Sequence, residues 1–121
     1  MEQKILSYRD LEVWQRGIQL TKQLYIITNT FPNHEQHGLT SQIRRAAVSV
    51  PSNIAEGYVR NSTKEFIHFL YISLGSLAEL NTQIEIAFNL NYIDNVAEIK
   101  QYMELQMKQI RSFINALKKR L

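Results

Sequence analysis

Apolar residues recur every three or four positions along most of the chain, which is the period of an α-helix that buries one face. In the first segment, two such series, one beginning at Leu11 and one at Val13, merge into a single wide apolar face. The pattern predicts four helices, at roughly residues 10–30, 36–58, 63–91 and 95–120. Strands would need more turn residues than the four glycines and two prolines of this chain, so we expect an all-α protein.

Polar residues at the segment boundaries have the form of helix caps. Asp10 and Asp94 are the predicted N-caps of the first and fourth helices. Ser62 is followed three residues later by Glu65, which is the pattern of a capping box at the start of the third helix.

The two prolines have different predicted roles. Pro32 ends the first helix, because the residue before a proline is pushed out of the helical region. Pro51 lies inside the second segment, and the apolar series continues in phase on both sides of it, which predicts a kink rather than a break. Short connections between long amphipathic helices favour neighbours that run in opposite directions. We therefore expect one domain, residues 1–121, folded as an antiparallel up-down four-helix bundle with its second helix kinked at Pro51.

Composition narrows the function classes. The absence of cysteine excludes a disulfide scaffold, a thiolate metal site and a cysteine nucleophile, and it favours a reducing compartment. No apolar run approaches the roughly 18–20 residues that a membrane span needs. We expect a cytoplasmic protein with no membrane partner.

The sequence offers little catalytic or metal-binding chemistry. A di-metal site in a helical bundle needs two Glu-x-x-His motifs, and the chain has one, Glu65 to His68. His34 and His37 are three residues apart, but no third ligand is indicated. A nucleophile elbow and a phosphate-binding glycine loop are both missing. We therefore expect no enzyme activity, no metal site and no cofactor.

The positive charge of the chain is concentrated at its C-terminal end. Residues 100–121 contain six basic residues and one acidic residue, a net charge of +5, whereas the rest of the chain carries −2. At about 100° per residue, four of the cations fall within one quadrant of the last helix: Lys100, Lys108, Arg111 and Lys118. Such a stripe can contact phosphates without reading bases. It can equally be a solvated face with cations favoured near a helix C-terminus.

A second, smaller basic group surrounds the predicted second helix and consists of Arg44, Arg45, Arg60 and Lys64. The same helix carries a polar series at spacings of four, three and four, formed by Arg45, Ser49, Ser52 and Glu56. In a monomer this series could face water. In an oligomer it could form a polar contact or line a channel.

Several motifs together resemble one family. They are Leu11-x-Val13-Trp14, Gly38-Leu39-Thr40-x-Gln42-Ile43-Arg44-Arg45-Ala46-Ala47-x-Ser49-Val50-Pro51-Ser52-Asn53-Ile54-Ala55-Glu56-Gly57, and Gly75-Ser76-Leu77-x-Glu79-Leu80. The sequence resembles the bacterial four-helix-bundle proteins first known from intervening sequences in 23S ribosomal RNA genes. That family includes the accessory variability determinant of diversity-generating retroelements.

The resemblance implies a ring of five subunits with a basic central pore, and retroelement members are thought to bind nucleic acid and a partner reverse transcriptase. Asn53, Glu56 and Gly57 match the Asn-Ile-Ala-Glu-Gly signature, expected at a subunit or helix contact. The chain departs from the family pattern at Gly17, where alanine is common, at Val59 and at His37.

We therefore expect a non-enzymatic, homo-oligomeric accessory protein, a pentamer by resemblance, that binds RNA or DNA through phosphate contacts. The alternative is a protein–protein adaptor that recruits a partner such as a reverse transcriptase and binds no nucleic acid itself. The expected phosphate contacts are Arg44, Arg45, Arg60, Lys64, Lys100, Lys108, Arg111, Lys118, Lys119 and Arg120. The expected oligomer or helix contacts are Trp14, Ser49, Ser52, Asn53, Glu56 and Gly57.

Overall fold

A computed structural model describes residues 4–121 of the chain. It contains four α-helices: α1 (Glu12–Thr28), α2 (Leu39–Tyr58), α3 (Thr63–Asn89) and α4 (Ala97–Lys118). Short 3-10 turns, Tyr8–Asp10 and Asn33–Glu35, precede α1 and α2, and the described residues contain no strand. The prediction of an all-α four-helix bundle is confirmed. None of these four helices is both long enough and apolar enough to cross a membrane.

Two of the predicted helix caps are wrong. Asp10 belongs to the turn before α1, where its carboxylate accepts from the N–H groups of Leu6 (2.8 Å) and Ser7 (3.1 Å), and Leu11 takes the N-cap position. At the start of α4, the side chain of Asn95 accepts from the N–H of Ala97 (3.0 Å), although Asp94 was the predicted cap. Both helices therefore begin about two residues later than predicted.

The start of α3 forms half of the predicted capping box. The Ser62 hydroxyl accepts from the N–H of Glu65 (3.2 Å), as predicted. The carboxylate of Glu65 instead lies 3.7 Å from Arg60. The serine cap alone satisfies one of the free N–H groups at this end of the helix.

The core is built from one apolar stripe of each helix. In α1 the buried series is the one that begins at Val13, whereas Ile18 and Tyr25 of the other series are both 41% exposed. The wide apolar face predicted for α1 is therefore buried along one side and exposed along the other. The innermost apolar side chains are Leu20 and Leu24 of α1, Ile43 and Ile54 of α2, Leu70, Leu77, Leu80 and Ile84 of α3, and Met103, Ile110 and Ile114 of α4.

Contacts between consecutive helices follow a reversed order. The pairs are Gly17 with Pro51 and Thr21 with Ala47 between α1 and α2, and Tyr71 with Lys118 and Glu85 with Lys100 between α3 and α4. Residue numbers rise along one helix as they fall along the next, which is the order expected of helices that run in opposite directions. No Cα atom of α2 lies within 8 Å of a Cα atom of α4, as expected of helices that lie diagonally across a bundle.

Helix α2 continues through Pro51 without a break. A proline has no N–H, so the carbonyl of Ala47 loses its usual helical donor. The hydroxyl of Thr21 in α1 lies 3.1 Å from that carbonyl oxygen and 2.8 Å from the carbonyl of Gly17. A Cβ at Gly17 would lie 3.1 Å from the Pro51 ring, so this glycine lets α1 approach the proline closely. The bend at Pro51 stays a prediction.

Candidate nucleic-acid interface

The first half of α2, the residues just before it and Tyr25 of α1 line an open groove of about 500 Å³, which we call the basic groove. It is lined by Tyr25, Gln36, His37, Thr40, Ser41, Arg44, Arg45 and Val48. Two arginines and a histidine stand on its walls, and none of the lining residues is acidic. The groove is therefore suited to an anionic ligand.

The start of α2 is fixed by a residue of the preceding turn. The carboxylate of Glu35 accepts from the N–H of Leu39 (3.1 Å), the first residue of the helix. A Cβ at Gly38 would lie 2.7 Å from that carboxylate oxygen, so glycine leaves room for the bond. This bond satisfies one of the free N–H groups at the start of α2, beside the residues that line the basic groove.

Arg44 is held rigidly in the wall of the groove. Its Nε donates to the hydroxyl of Thr28 (2.9 Å), and its Nη2 donates to Asn29 Oδ1 (3.0 Å) and the carbonyl of Tyr25 (3.4 Å). The guanidinium also lies 4.5 Å from the centre of the Tyr25 ring. Thr28 is 2% exposed and donates in turn to the carbonyl of Leu24 (2.7 Å). All these acceptors are neutral, so none of them compensates the positive charge of Arg44, and its Nη1 group contacts no acceptor in the described chain.

Arg45, the next residue, is exposed and makes neither an ion pair nor a side-chain hydrogen bond within residues 4–121. The groove thus combines one guanidinium that is held by hydrogen bonds and one that makes no hydrogen bond in the described chain. Because guanidinium N–H groups match the geometry of phosphate oxygens, two adjacent arginines can bind one phosphate group from different sides.

Two of the predicted contact residues, Ser49 and Gly57, lie where α2 packs on α3, and a third, Asn53, bonds to Ser49 within α2. The hydroxyls of Ser49 and Ser76 are 2.9 Å apart, and the Asn53 amide donates to the carbonyl (2.8 Å) and hydroxyl (2.9 Å) of Ser49. A Cβ at Gly57 would lie 2.7 Å from Cβ of Phe69. Within one chain, these residues therefore form a close, partly polar contact between two helices.

Trp14 and Ser52 line a second groove between α1 and α2, together with Tyr8, Ile18, Thr21, Val48, Pro51 and Ala55. We call this mainly apolar recess the apolar groove. The Trp14 ring packs edge-on against Tyr8, with ring centres 5.5 Å apart. Val48 lines both grooves, so they form one continuous surface with a basic end and an apolar end.

The charge of Arg60 is compensated by neighbouring carboxylates. Its guanidinium lies 2.8 Å from Glu56 and 3.7 Å from Glu65, and 5.0 Å from the centre of the Phe69 ring. Lys64, by contrast, is exposed and has no ion-pair partner among the described residues. Glu56, a predicted contact residue, is thus half of an ion pair on the protein surface.

The two ends of the basic stripe on α4 reach across to α3. Lys100 forms an ion pair with Glu85, and Lys118 donates to the Tyr71 hydroxyl (2.8 Å). Lys108, Arg111, Lys119 and Arg120 are exposed and contact no carboxylate within residues 4–121. The stripe lies at the α3–α4 edge and the basic groove at the α1–α2 edge. A single chain therefore does not bring the two basic groups to one face.

Sequence reasoning missed the residues that position Arg44. Thr28 and Asn29 lie at the end of α1, 16 and 15 positions before Arg44 in the chain. A threonine at a core position of a helix is a weak signal, because a single hydroxyl commonly bonds within its own helix. Their pairing with Arg44 depends on how α1 and α2 pack, which the local pattern does not encode.

The histidines do not assemble a metal site in the described part of the chain. His34 lies 3.3 Å from the Tyr92 hydroxyl, which donates to Glu35 (2.9 Å). The bonds from the Leu39 N–H and from Tyr92 lower the pKa of the Glu35 carboxyl, and the bond to Glu35 raises the pKa of Tyr92. Across residues 4–121, no group of three or more histidine, aspartate or glutamate side chains could hold a metal ion.

Comparison with known proteins places this bundle in a family. No curated protein matches the chain. The family model described as 23S rRNA-intervening sequence protein matches residues 9–116, which include α1, α2, α3 and nearly all of α4. The link to the retroelement accessory protein stays a prediction. Because the match extends over most of the chain, this protein belongs to the family of 23S rRNA-intervening sequence proteins.

Proposed function

We propose that the chain forms a homo-oligomer, a ring of five copies as the family resemblance implies, and binds nucleic acid as a non-enzymatic accessory protein. The observation that carries the proposal is the basic groove, in which Arg44 and Arg45 stand without a carboxylate among the lining residues. Guanidinium groups bind phosphates through paired, charge-assisted hydrogen bonds, so the groove offers a site for the sugar–phosphate backbone.

Oligomerisation would strengthen this interaction. Each chain carries a net charge of +3, and a ring of five would carry about +15, which attracts a polyanion at long range. The exposed cations of α4 and of the residues just after it add a second basic surface on the opposite edge of the bundle: Lys108, Arg111, Lys119 and Arg120. In a ring, basic groups from opposite edges of neighbouring chains can face the same nucleic acid.

The test is binding of a labelled RNA hairpin and a labelled DNA duplex, measured by fluorescence anisotropy across a salt series. We expect affinity to fall steeply with salt, and Arg45→Gln to weaken binding and reduce the salt slope by about 1. Arg60→Gln is the matched control, because Glu56 and Glu65 already compensate that guanidinium. Light scattering on the same samples gives the number of copies. Salt-independent binding, or equal losses in both variants, would contradict the proposal.

A second function is favoured by the apolar groove. Ile18 and Val48 are 41% and 43% exposed beside Trp14, and such a patch is typical of a protein-binding surface. In this alternative the protein is an adaptor that recruits a partner such as a reverse transcriptase. An intact oligomer that binds neither RNA nor DNA at low salt would favour it. Purified reverse transcriptase should then bind the wild type but not Ile18→Ser/Val48→Ser.

A further inference from the structure

The shape of the basic groove restricts the kind of nucleic acid that can enter it. Proteins usually read a duplex by inserting a protruding helix or strand pair into one of its grooves. The basic groove does not protrude; it is a shallow, open recess along the first half of α2, with Arg44, Arg45 and, from α1, Tyr25 among its lining residues. A recess can take a base that has left the stack, as single-stranded segments allow, whereas a base-paired duplex presents no such group.

An aromatic side chain lies beside the cations. Tyr25 is 41% exposed, lines the groove, and has the Arg44 guanidinium 4.5 Å from its ring centre. His37 is exposed and lines the same groove. Single-stranded nucleic acid is typically bound by such combinations, in which cations contact the backbone and bases stack on aromatic rings or guanidinium planes.

The groove is also organised before a ligand binds. Thr28 and Asn29 fix the plane of Arg44 and leave its Nη1 group free, so little side-chain entropy is lost when that group meets a phosphate. Uncharged donors and acceptors complete the lining at Gln36 and Ser41. These polar groups lie in the same recess as Tyr25, where they can meet the edge of a base.

We propose that the basic groove binds one unstacked nucleotide of a single-stranded nucleic acid, with its phosphate on Arg44 and Arg45 and its base against Tyr25. The inference rests on the proposed function and narrows its substrate class from nucleic acid in general to single strands. Binding is expected to depend little on sequence, because every base has a face that can stack.

The test compares unstructured oligouridylate and oligothymidylate with RNA and DNA duplexes of the same length at one salt concentration. We expect the wild type to prefer the single strands, and Tyr25→Leu to weaken their binding about tenfold and duplex binding much less. Tyr25→Phe should retain binding, because it keeps the ring. Tyr71→Leu is the matched control: Tyr71 is equally exposed and has Lys118 over its ring, but it lies on α3.

A second measurement does not depend on variants. Single strands that carry iodouracil are photocrosslinked to the wild-type protein, and the modified peptide is identified by mass spectrometry. Crosslinks on the peptide that contains Tyr25 would support the proposal. Equal binding of single strands and duplexes, or equal losses in Tyr25→Leu and Tyr71→Leu, would overturn this inference and leave the proposed function standing. A protein that binds none of the four ligands would overturn the proposed function itself.

Discussion

Substituting valine for Thr21 tests how the bundle accommodates a proline inside α2. The change removes one hydroxyl and keeps the branched shape of the side chain. That hydroxyl lies 3.1 Å from the carbonyl of Ala47, whose helical donor would be the N–H of residue 51, which is a proline. The single hydroxyl proton is shared between this carbonyl and the carbonyl of Gly17 (2.8 Å), so helix α1 supplies part of the hydrogen bond that α2 lacks. We expect Thr21→Val to lower the free energy of unfolding by about 1–2 kcal/mol, the range for a partly buried carbonyl left without a donor.

A double-mutant cycle with Pro51→Ala isolates this bond. Alanine restores an N–H at position 51, so in that background the Ala47 carbonyl has its own helical donor and Thr21→Val costs less. The other contact of the hydroxyl, to the carbonyl of Gly17 (2.8 Å), is the same in both backgrounds. Pro51→Ala also changes packing against Gly17, but that effect cancels in the cycle. We expect a coupling free energy of about 1 kcal/mol.

The measurement is urea unfolding followed by far-ultraviolet circular dichroism, with all four proteins at one concentration because oligomerisation makes stability concentration-dependent. The slope of the free energy of unfolding against urea concentration should be the same in the wild type, the two single variants and the double variant. Equal slopes show that the four proteins unfold between similar states. If Thr21→Val costs as much in the Pro51→Ala background as in the wild-type background, the hydroxyl does not compensate for the proline, and the reasoning is refuted.

Further predictions concern two glycines of the bundle and the hydrogen bond between Tyr92 and Glu35. Gly57→Ala should destabilise the fold by about 1–3 kcal/mol, because the new Cβ would lie 2.7 Å from Cβ of Phe69. Gly75 has open space around it, so Gly75→Ala should stabilise α3 by up to about 1 kcal/mol. Thermal unfolding of the two variants tests both expectations. The lowered pKa of Glu35 contributes stability that is present above about pH 4.5 and lost as pH falls through the lower pKa of the folded state. The free energy of unfolding should therefore fall less between about pH 4.5 and lower pH in Glu35→Gln than in the wild type. Equal losses of stability in the two proteins would contradict this prediction. The raised pKa of Tyr92 predicts the opposite trend, a loss of stability above about pH 10.

The sequence was sufficient to predict the four helices, because apolar residues at every third or fourth position over some 20 residues are typical of a helix and not of a strand or a loop. Helix ends were less predictable. Asp10 is a good N-cap residue by type, yet it completes a capping box with Ser7 one turn earlier. Both uses satisfy local rules, and the packing of α1 decides between them. The same holds for Asp94 and Asn95, which are adjacent and both suited to a cap.

Only part of the wide apolar face predicted for α1 is buried, for a similar reason. Its two apolar series are indistinguishable by period, but α1 contacts only α2 and α4 among the helices, and these neighbours cover the series that begins at Val13. The other series is left at the edge, where Ile18 borders the apolar groove. A periodic pattern shows that a face is apolar. Which part of that face is covered depends on the number and position of neighbouring helices.

The candidate site depends even more on packing, as the two adjacent arginines show. Arg44 and Arg45 are equivalent in the sequence, but a step of about 100° around α2 turns Arg44 toward the end of α1, where Thr28 holds it, and leaves Arg45 without a partner in the described chain. Counting charges in the sequence also includes Arg60, which the fold pairs with carboxylates. A net charge of +3 therefore says little about where an anion binds. The basic groove is identified by cations that the fold leaves uncompensated, beside an aromatic ring that lines the same recess.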